Sequence, residues 1–459
     1  AGAIAAVLLG LMPNVFYNAH LACFDVPIMA MWVACIYVYW RAESVGGGWR
    51  IIGAGVMYGL TLETKHNAWF LPAVFVLHAL FVHGRRVMRS AERSRFVPIP
   101  ASLVAMALLG PPIFILLWPW LWPIAGGGKG VLTLDFGTTL QRIQAYVEFH
   151  VKHDYYNIEF LGVTYFGPPS PRSYMPVMIL ATVPTATIVL FVTGAIDRAR
   201  GIVTRAAWAL SSWLHAAIKR RLPWPREAPP RDRLQTDLLL FLGFFVAIGP
   251  WFLPRTPIFG GTKHWMTAYP FLAILAGRGF DLVWPKLEAL LAKRGPLDAR
   301  RRLVAQTTAI ALTFAGALAV TIHSHPFGLS TYVPFAGGVA GGADLGLNRQ
   351  FWGFTTESLA PWLEKNSKPG ESFYFMDTAW SSWARMEEEK RLPPLRGVGS
   401  PAEAELSIVH HEQHMNEVDY NIWTEYGTST PVYVLTHDGV PIITVYRRPH
   451  PPKSLTSSR

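Results

Sequence analysis

The chain has 459 residues, of which 51% are hydrophobic and only 15% are charged. Soluble domains carry about a quarter charged residues, so this composition argues against an ordinary soluble enzyme and favours a multi-pass membrane protein. A net charge of +11 could suit nucleic acid, but its placement in alternate loops argues for membrane orientation, and no nucleic-acid partner is predicted.

Ala1 opens directly into an apolar run without an initiator Met or a basic leader. We therefore expect a chain that lacks its N-terminal portion, with a truncated first span. A spanning helix needs about 20 predominantly apolar residues. About nine spans are predicted, near residues 1–12, 25–41, 50–65, 67–83, 99–118, 174–194, 236–253, 266–284 and 304–322.

Basic residues predict how these spans are oriented. The connections 41–50, 84–95, 195–235 and 285–303 hold 22 of the 41 Lys and Arg residues. Because cytoplasmic loops are enriched in Lys and Arg, these four are expected in the cytoplasm. Residues 200–222, within the third connection, are expected to form an interfacial helix on that surface.

The connections on the outer side have a different character. The loop 119–173 is long. Within it, residues 138–152 have apolar side chains at helical spacing, which predicts an amphipathic helix lying along the membrane. After the last span, helix patterns at 356–366 and 381–391 accompany strand patterns at 371–377, 405–410, 432–436 and 441–447. The sequence predicts an all-α membrane domain over 1–322 and a small periplasmic α/β domain over 323–459. His437-Asp438-Gly439 is predicted to be a hairpin turn.

Ionisable residues at the ends of spans are candidates for function, because a charge in hydrocarbon is costly without a partner or water. Asp25 opens a span just after His20, and it could act on an acceptor hydroxyl or simply cap the helix. Lys65 and His66 interrupt two apolar stretches. Lys65 could bind a phosphate in the headgroup layer, or it could snorkel or pair with Glu63.

A third group of candidates lies in a late outer loop. Arg255, Lys263 and His264 precede Tyr269 at the start of a span. Three potential cations on one loop would suit an anionic headgroup, and ordinary loop charge is the alternative. Convergence of this loop with Asp25 and Lys65 would make a site that combines phosphate binding with an acid.

Weaker signals are set aside. His150, His153 and Asp154 have metal-like spacing but are expected to be polar loop residues, and His410, His411 and His414 are expected to be solvated. No Walker motif, nucleophile elbow or zinc-ligand set is recognisable. We therefore predict no cofactor and no metal.

Two of these segments and the loop resemble a known family. Asp25-Val-Pro27, the stretch Gly59–Asn67 and the stretch Lys263–Pro270 resemble signatures of GT-C glycosyltransferases. Within that class they are most similar to bacterial members of glycosyltransferase family 39, which are relatives of dolichyl-phosphate-mannose protein mannosyltransferases, and to the aminoarabinose lipid A transferase. His325-Pro326 followed by Ala336-Gly337-Gly338 resembles the start of the family's extracytoplasmic part.

The resemblance implies transfer of a sugar from a polyprenyl-phosphate carrier to a protein, lipid or glycan acceptor at the periplasmic face of the inner membrane. By resemblance, Asp25 matches the family's second acidic position and is the predicted catalytic residue. His20, Lys65, His66, Arg255, Lys263, His264 and Tyr269 are predicted to bind substrate. The family's principal acid lies in an earlier outer loop that has no counterpart here, so the chain as given is expected to be catalytically incomplete. The alternative function is a transporter or flippase for a lipid-linked or anionic substrate.

Overall fold

The fold is taken from a computed structural model. It describes residues 1–89, 99–122, 136–152, 157–210, 231–258, 260–295, 297–351, 353–376 and 380–450. The chain forms two compact units. The first comprises Ala1–Asp154, Ala186–Pro257 and Thr262–Leu318, and the second comprises Tyr155–Thr185, Ile258–Gly261 and Ala319–Arg459.

Long apolar helices make up the first unit. In chain order they are α1 (Gly2–Gly10), α2 (Pro13–Asn18), α3 (Asp25–Val45), α4 (Gly48–Thr64), α5 (Leu71–Arg89), α6 (Ala101–Leu117), α7 (Phe136–Val151), α9 (Thr185–Leu210), α10 (Arg231–Ile248), α11 (Tyr269–Ala292) and α12 (Ala299–Ser324). Helix α8 (Tyr174–Thr182) and the last turns of α12, from Ala319 onward, belong to the second unit. Helix α4 packs between α3 and α6, and α1 packs on α11. The predicted amphipathic helix at 138–152 is observed as α7.

One predicted span in this region is interrupted, and one predicted helix lies partly outside the described residues. The predicted span 174–194 is two helices, because the chain leaves α8 at Val183 and the next residue is Pro184. The residue before a proline is biased towards extended backbone, and proline itself interrupts a helix. The interfacial helix predicted over 200–222 does not begin as a separate helix, because residues 200–210 are the last part of α9. Residues 211–222 lie outside the described part of the chain.

Two helices are long and apolar enough to cross a membrane within the described residues: Arg233–Phe252 and Ala299–Ser324. A third candidate is the interrupted pair Tyr174–Thr182 and Thr185–Thr204, and shorter apolar helices cover His66–Val82 and Ala101–Leu117. The mostly helical character is confirmed. The total of nine spanning helices stays a prediction.

Close contact of α9 with α11 depends on two glycines. A Cβ at Gly194 would lie 1.9 Å from the carbonyl oxygen of Leu275, and a Cβ at Gly279 would lie 1.9 Å from that of Leu190. Small residues at a helix crossing allow backbones to approach, which is a common way for membrane helices to associate. The two backbones are therefore too close for any larger residue at either position.

Gly194→Ala is expected to lower stability by about 1–3 kcal/mol, because the methyl group forces α9 away from α11. Gly316→Ala is the matched control, since no heavy atom lies within 4 Å of a Cβ built there in α12. Thermal unfolding in detergent measures both. A Gly194→Ala midpoint equal to that of the wild type would contradict the close crossing.

A five-stranded sheet with flanking helices forms the core of the second unit. Its strands are β3 (Ser372–Met376), β4 (Arg396–Gly397), β5 (Leu406–His410), β6 (Tyr433–His437) and β7 (Val440–Arg447), in the order β4-β3-β5-β7-β6. Strands β4, β3 and β5 run parallel, and β7 is antiparallel to both β5 and β6. The helices that follow α12 are α13 (Gly338–Asp344), α14 (Ala360–Asn366), α15 (Trp380–Glu388) and α16 (Asn416–Tyr426), and a short hairpin pairs β1 (Ile158–Phe160) with β2 (Val163–Tyr165).

The sheet is stabilised by aromatic packing against α15. Trp383 stacks on Phe373 with ring centroids 4.3 Å apart, and Trp380 packs on Phe375 at 4.2 Å. The small C-terminal sheet domain is therefore confirmed. The predicted turn is also confirmed, because Asp438 and Gly439 join β6 to β7 with φ of 50° and 76°. A two-residue hairpin turn with two positive φ angles is the form that Asp-Gly favours.

Candidate active site

Asp25 is held at the first residue of α3. The N-cap residue is Phe24, and no side-chain capping bond is present at this end of the helix. The carboxylate is in the first turn, where the positive end of the helix dipole favours an anion. Asp25 is therefore not the N-cap residue of α3, although its position suits the helix dipole. Its side chain is 7% exposed and its carboxylate has another partner.

That partner is Lys65. Helix α4 ends at Thr64, and Lys65 has an extended backbone (φ −168°, ψ 148°) before a 3₁₀ turn over His66–Phe70. The helix break predicted from the sequence is thus observed. It directs the Lys65 ammonium to Asp25, with 2.5 Å between Nζ and Oδ1.

The pairing of Lys65 with Glu63, left open by the sequence, is not what the structure shows. Lys65 is 18% exposed and pairs with Asp25, 40 residues away. Among the described residues, Oε2 of Glu63 is buried with no hydrogen-bond partner. Residues two apart point in different directions where a helix ends, so Glu63 and Lys65 do not face each other.

The loop containing Lys263 lies beside this pair. It forms a 3₁₀ helix over Gly261–Ala268, and Asn67 Nδ2 donates a hydrogen bond of 3.3 Å to the carbonyl oxygen of His264. Lys263 is close enough to interact electrostatically with Asp25, Lys65 and Cys23. The predicted convergence of Asp25, Lys65 and Lys263 is therefore present in the structure as a cluster of one carboxylate and two ammonium groups, here called the acid–lysine cluster.

Burial, with a smaller contribution from the Lys65 ammonium, lowers the pKa of Lys263 to about 8, and the Asp25 charge opposes this shift. An amine with a lowered pKa loses its proton at a lower pH than an ordinary lysine. If Lys263 binds an anion, the affinity for that anion is highest below the pKa and is lost as the pH rises through it.

The affinity for a polyprenyl phosphate is accordingly expected to fall between pH 7 and pH 9, by about tenfold for a charged hydrogen bond of about 1.5 kcal/mol. Binding to nanodisc-embedded protein over this range measures the effect. Lys263→Met is expected to bind more weakly at pH 7 and to show a flat profile. A wild-type profile that is already flat would contradict an anion-binding role for Lys263.

His66 lies against the amphipathic helix α7. Its ring centroid is 4.4 Å from that of His150, and the ring of Trp69 is 5.3 Å from that of Tyr146. Tyr146 also packs on Trp118, at 4.8 Å. These five side chains form an aromatic wall, which begins with His66, the residue after Lys65, and is completed by residues from later segments.

Other predicted substrate-binding residues have different settings. His20 is exposed, and its Nδ1 hydrogen-bonds to the carbonyl oxygen of Phe16 at 2.7 Å. Arg255 is exposed in a turn, whereas Tyr269 is fully buried at the start of α11. The ring of His264 is buried against Trp251, at 4.7 Å. His264 therefore supports the site through its backbone, and none of these contacts places His20 or Arg255 in the acid–lysine cluster.

Sequence reasoning missed several residues around the cluster. Asn67, which bonds to the 264 carbonyl, belongs to the Gly59–Asn67 motif without a predicted role, and no role was predicted for Cys23, two residues before Asp25. His150 was set aside as a loop residue, although it lies on α7 against His66; its proposed metal partners His153 and Asp154 lie outside the described residues. A single signal could have found His150, namely its position on the apolar face of a predicted amphipathic helix.

The histidines at 410–414 also differ from expectation. His410 is buried in β5, with Nδ1 2.6 Å from the carbonyl oxygen of Met376 and Nε2 3.0 Å from the hydroxyl of Thr356. His411 Nε2 is 2.5 Å from the hydroxyl of Thr444. The expectation that these two are solvated is wrong, because β5 is the central strand of the sheet; the side chain of His414 lies outside the described residues.

Comparisons with known proteins give a likeness in fold alone. No protein-family model matches the chain, and no curated protein matches it. Among solved structures it is similar to ArnT from Cupriavidus metallidurans bound to undecaprenyl phosphate, with 13% identity over 96% of this chain and 78% of that chain and a TM-score of 0.38. It is also similar to the apo state of the same protein, with 14% identity over 97% of this chain and 79% of that chain and a TM-score of 0.38.

At this identity and TM-score the likeness says nothing about substrate or reaction.

Proposed function

We propose that the protein is a membrane glycosyltransferase that transfers a sugar from a polyprenyl-phosphate carrier to a hydroxyl group of a protein, lipid or glycan. The observation that supports this most directly is the acid–lysine cluster. It combines a buried carboxylate with two ammonium groups at the ends of apolar helices. Those are the groups that displacement of a phosphate by a hydroxyl needs.

The reaction assigns each charge a task. Asp25 accepts the proton of the acceptor hydroxyl while the hydroxyl oxygen forms a bond to the anomeric carbon. The bond from that carbon to the phosphate oxygen breaks, and the phosphate leaves with the electron pair. Lys65 and Lys263 stabilise the charge that develops on the leaving phosphate, which is where preorganised cations contribute most.

The ion pair suggests how donor binding would prepare the acid. In the structure the Lys65 ammonium is occupied by Asp25. A phosphate brings negative charge that competes for Lys65, so donor binding would free Asp25 to hydrogen-bond to the acceptor. The aromatic wall of His66, Trp69, Trp118, Tyr146 and His150 begins at the residue after Lys65. Its apolar ring faces are of the kind that pack against sugar rings or isoprene units.

The helix ends and the basic connections also suggest on which side of the membrane the acid–lysine cluster lies. The helices of the first unit carry the apolar surface that a polyprenyl chain would contact, and the predicted cytoplasmic connections are the basic ones. The acid–lysine cluster lies at the opposite helix ends from those connections, so we place it at the periplasmic face of the bacterial inner membrane. The second unit, with its exposed loops, would then contact the acceptor.

Transfer of label tests this function. The natural protein, reconstituted in liposomes, is supplied with radiolabelled polyprenyl-phosphate sugars and a membrane extract as acceptor. The expected result is carrier-dependent label in an acceptor and release of polyprenyl phosphate. If several different donors reach the opposite leaflet intact and none of them releases its sugar, transfer would be contradicted and a flippase favoured.

A further inference from the structure

Two histidines and an aspartate meet in the second unit, far along the chain from the acid–lysine cluster. His323 is in the last turn of α12, while His437 and Asp438 are at the β6–β7 turn. His323 Nε2 is 2.8 Å from both carboxylate oxygens of Asp438, and His437 Nδ1 is 4.0 Å from Oδ1 of Asp438. One ligand atom from each of the three residues lies within 4.8 Å of the others.

The two contacts of the Thr331 hydroxyl favour a proton on one particular ring nitrogen of His437. The hydroxyl of Thr331 donates to the carbonyl oxygen of Phe327 at 3.1 Å, and it lies 3.2 Å from His437 Nε2. A hydroxyl has one proton to donate, so Thr331 accepts from Nε2–H. The neutral ring then has its lone pair on Nδ1, on the side of Asp438.

A lone pair facing a carboxylate is unfavourable unless a cation lies between them. At 4.0 Å the Nδ1–Oδ1 separation is too long for a hydrogen bond, so a second proton on the ring would give an ion pair with the carboxylate but no direct bond. His437 is 7% exposed, and water has little access to relieve the repulsion. A metal ion would satisfy Nδ1 and the carboxylate together.

The backbone holds these ligands in place. Asp438 and Gly439 both have positive φ, as a two-residue hairpin turn requires, and this turn holds two successive ligands at the end of the sheet. His437 is oriented by Thr331 through its other nitrogen, the arrangement in which a second hydrogen bond fixes the tautomer of a metal-binding histidine.

We propose that His323 Nε2, His437 Nδ1 and the Asp438 carboxylate bind a Zn²⁺ ion, with the fourth position taken by water. Two imidazoles and one carboxylate are a zinc ligand set, and Ca²⁺ and Mg²⁺ prefer oxygen ligands alone. The side chains of His323 and Asp438 are 60% and 37% exposed, so the ion has a route from solvent and the fourth position faces water. The ion would link the end of α12 to the β6–β7 hairpin, whether or not the protein transfers sugars.

The sequence gives little sign of this site, because His323 is 115 residues from Asp438. Our expectation of no metal rested on the lack of a local zinc motif. A ligand set assembled from a helix end and a hairpin turn has no such motif.

Zinc content and affinity test the proposal. The full chain is purified without a polyhistidine tag, stripped with a chelator and titrated with Zn²⁺ in competition with a chromogenic chelator. One Zn²⁺ per chain is expected for the wild type, with no comparable affinity for Mg²⁺. His323→Gln and Asp438→Asn are each expected to weaken binding by about a hundredfold or more, as loss of a direct ligand should exceed the 10–100-fold cost of losing an outer-shell partner.

His325→Gln is the matched control, because His325 is an exposed histidine two residues from His323. This variant is expected to bind zinc with unchanged affinity. Thermal unfolding in excess chelator checks that both ligand variants fold like the wild type. Zn²⁺ is expected to raise the midpoint of the wild type and of His325→Gln only. No zinc bound by the wild type, or equal affinity in all four proteins, would overturn the proposal.

Discussion

Asp25→Asn is expected to reduce sugar transfer by about 10²- to 10⁴-fold, the range that a general base contributes. The amide keeps the size and position of the carboxylate but cannot take the proton of the acceptor hydroxyl. Donor binding is expected to stay the same or to tighten, because the Lys65 ammonium is no longer paired with Asp25. Single-turnover transfer at saturating donor, with donor affinity measured separately, distinguishes the two effects.

Removing one partner of a partly buried ion pair also costs stability, so this variant needs a control for folding. Asp197→Asn breaks a comparable pair, since Asp197 Oδ2 lies 2.9 Å from Arg278 Nε between α9 and α11. Both variants are expected to unfold at lower temperature, and only Asp25→Asn is expected to lose transfer at a temperature where both are folded. Equal loss of transfer in the two variants would show that Asp25 acts through stability alone.

Lys65→Met is expected to weaken the binding of polyprenyl phosphate by about 10- to 150-fold, the equivalent of about 1.5–3 kcal/mol for a hydrogen bond to a charged group. The binding of polyprenol, which has the same chain without the phosphate, is expected to be unchanged. Methionine keeps most of the side-chain length while removing the charge. Fluorescence titration in nanodiscs with both lipids measures the difference.

Lys286→Met is the matched control, because Lys286 is an exposed lysine on α11, well over a dozen residues from Tyr269 at the site end of that helix. It is expected to bind both lipids like the wild type. An equal loss of polyprenol binding in Lys65→Met would mean that Lys65 shapes the apolar surface, and unchanged phosphate binding would remove it from the site.

The sequence predicts local structure well where one physical signal dominates. Long apolar stretches correctly predicted α3, α6 and α12, and the polar interruption at Lys65 correctly predicted a helix break. Alternation of apolar residues located β3, β5, β6 and β7, and the Asp-Gly pair located the turn between the last two. Each of these signals acts between residues that are close in the chain.

Contacts between distant segments could not be predicted in the same way. Nothing local to Asp25 indicates that its partner is Lys65 rather than solvent, and nothing local to Asn67 indicates a hydrogen bond to the 264 carbonyl. These pairs depend on how α3, α4 and the 261–268 segment pack, and side-chain packing between helices is not encoded by periodicity alone. The buried setting of His410 was missed for a related reason, since the central position of β5 is a property of the whole sheet.

Photocrosslinking of the donor tests the central claim most directly. A polyprenyl phosphate carrying a photoreactive group next to the phosphate is bound to the natural protein in nanodiscs, irradiated, and mapped by mass spectrometry. We predict label in peptides containing Asp25, Lys65 and Lys263, removed by competing polyprenyl phosphate but not by polyprenol. Label distributed over the apolar helices, or concentrated elsewhere and unaffected by the competitor, would contradict the assignment of the acid–lysine cluster as the donor site.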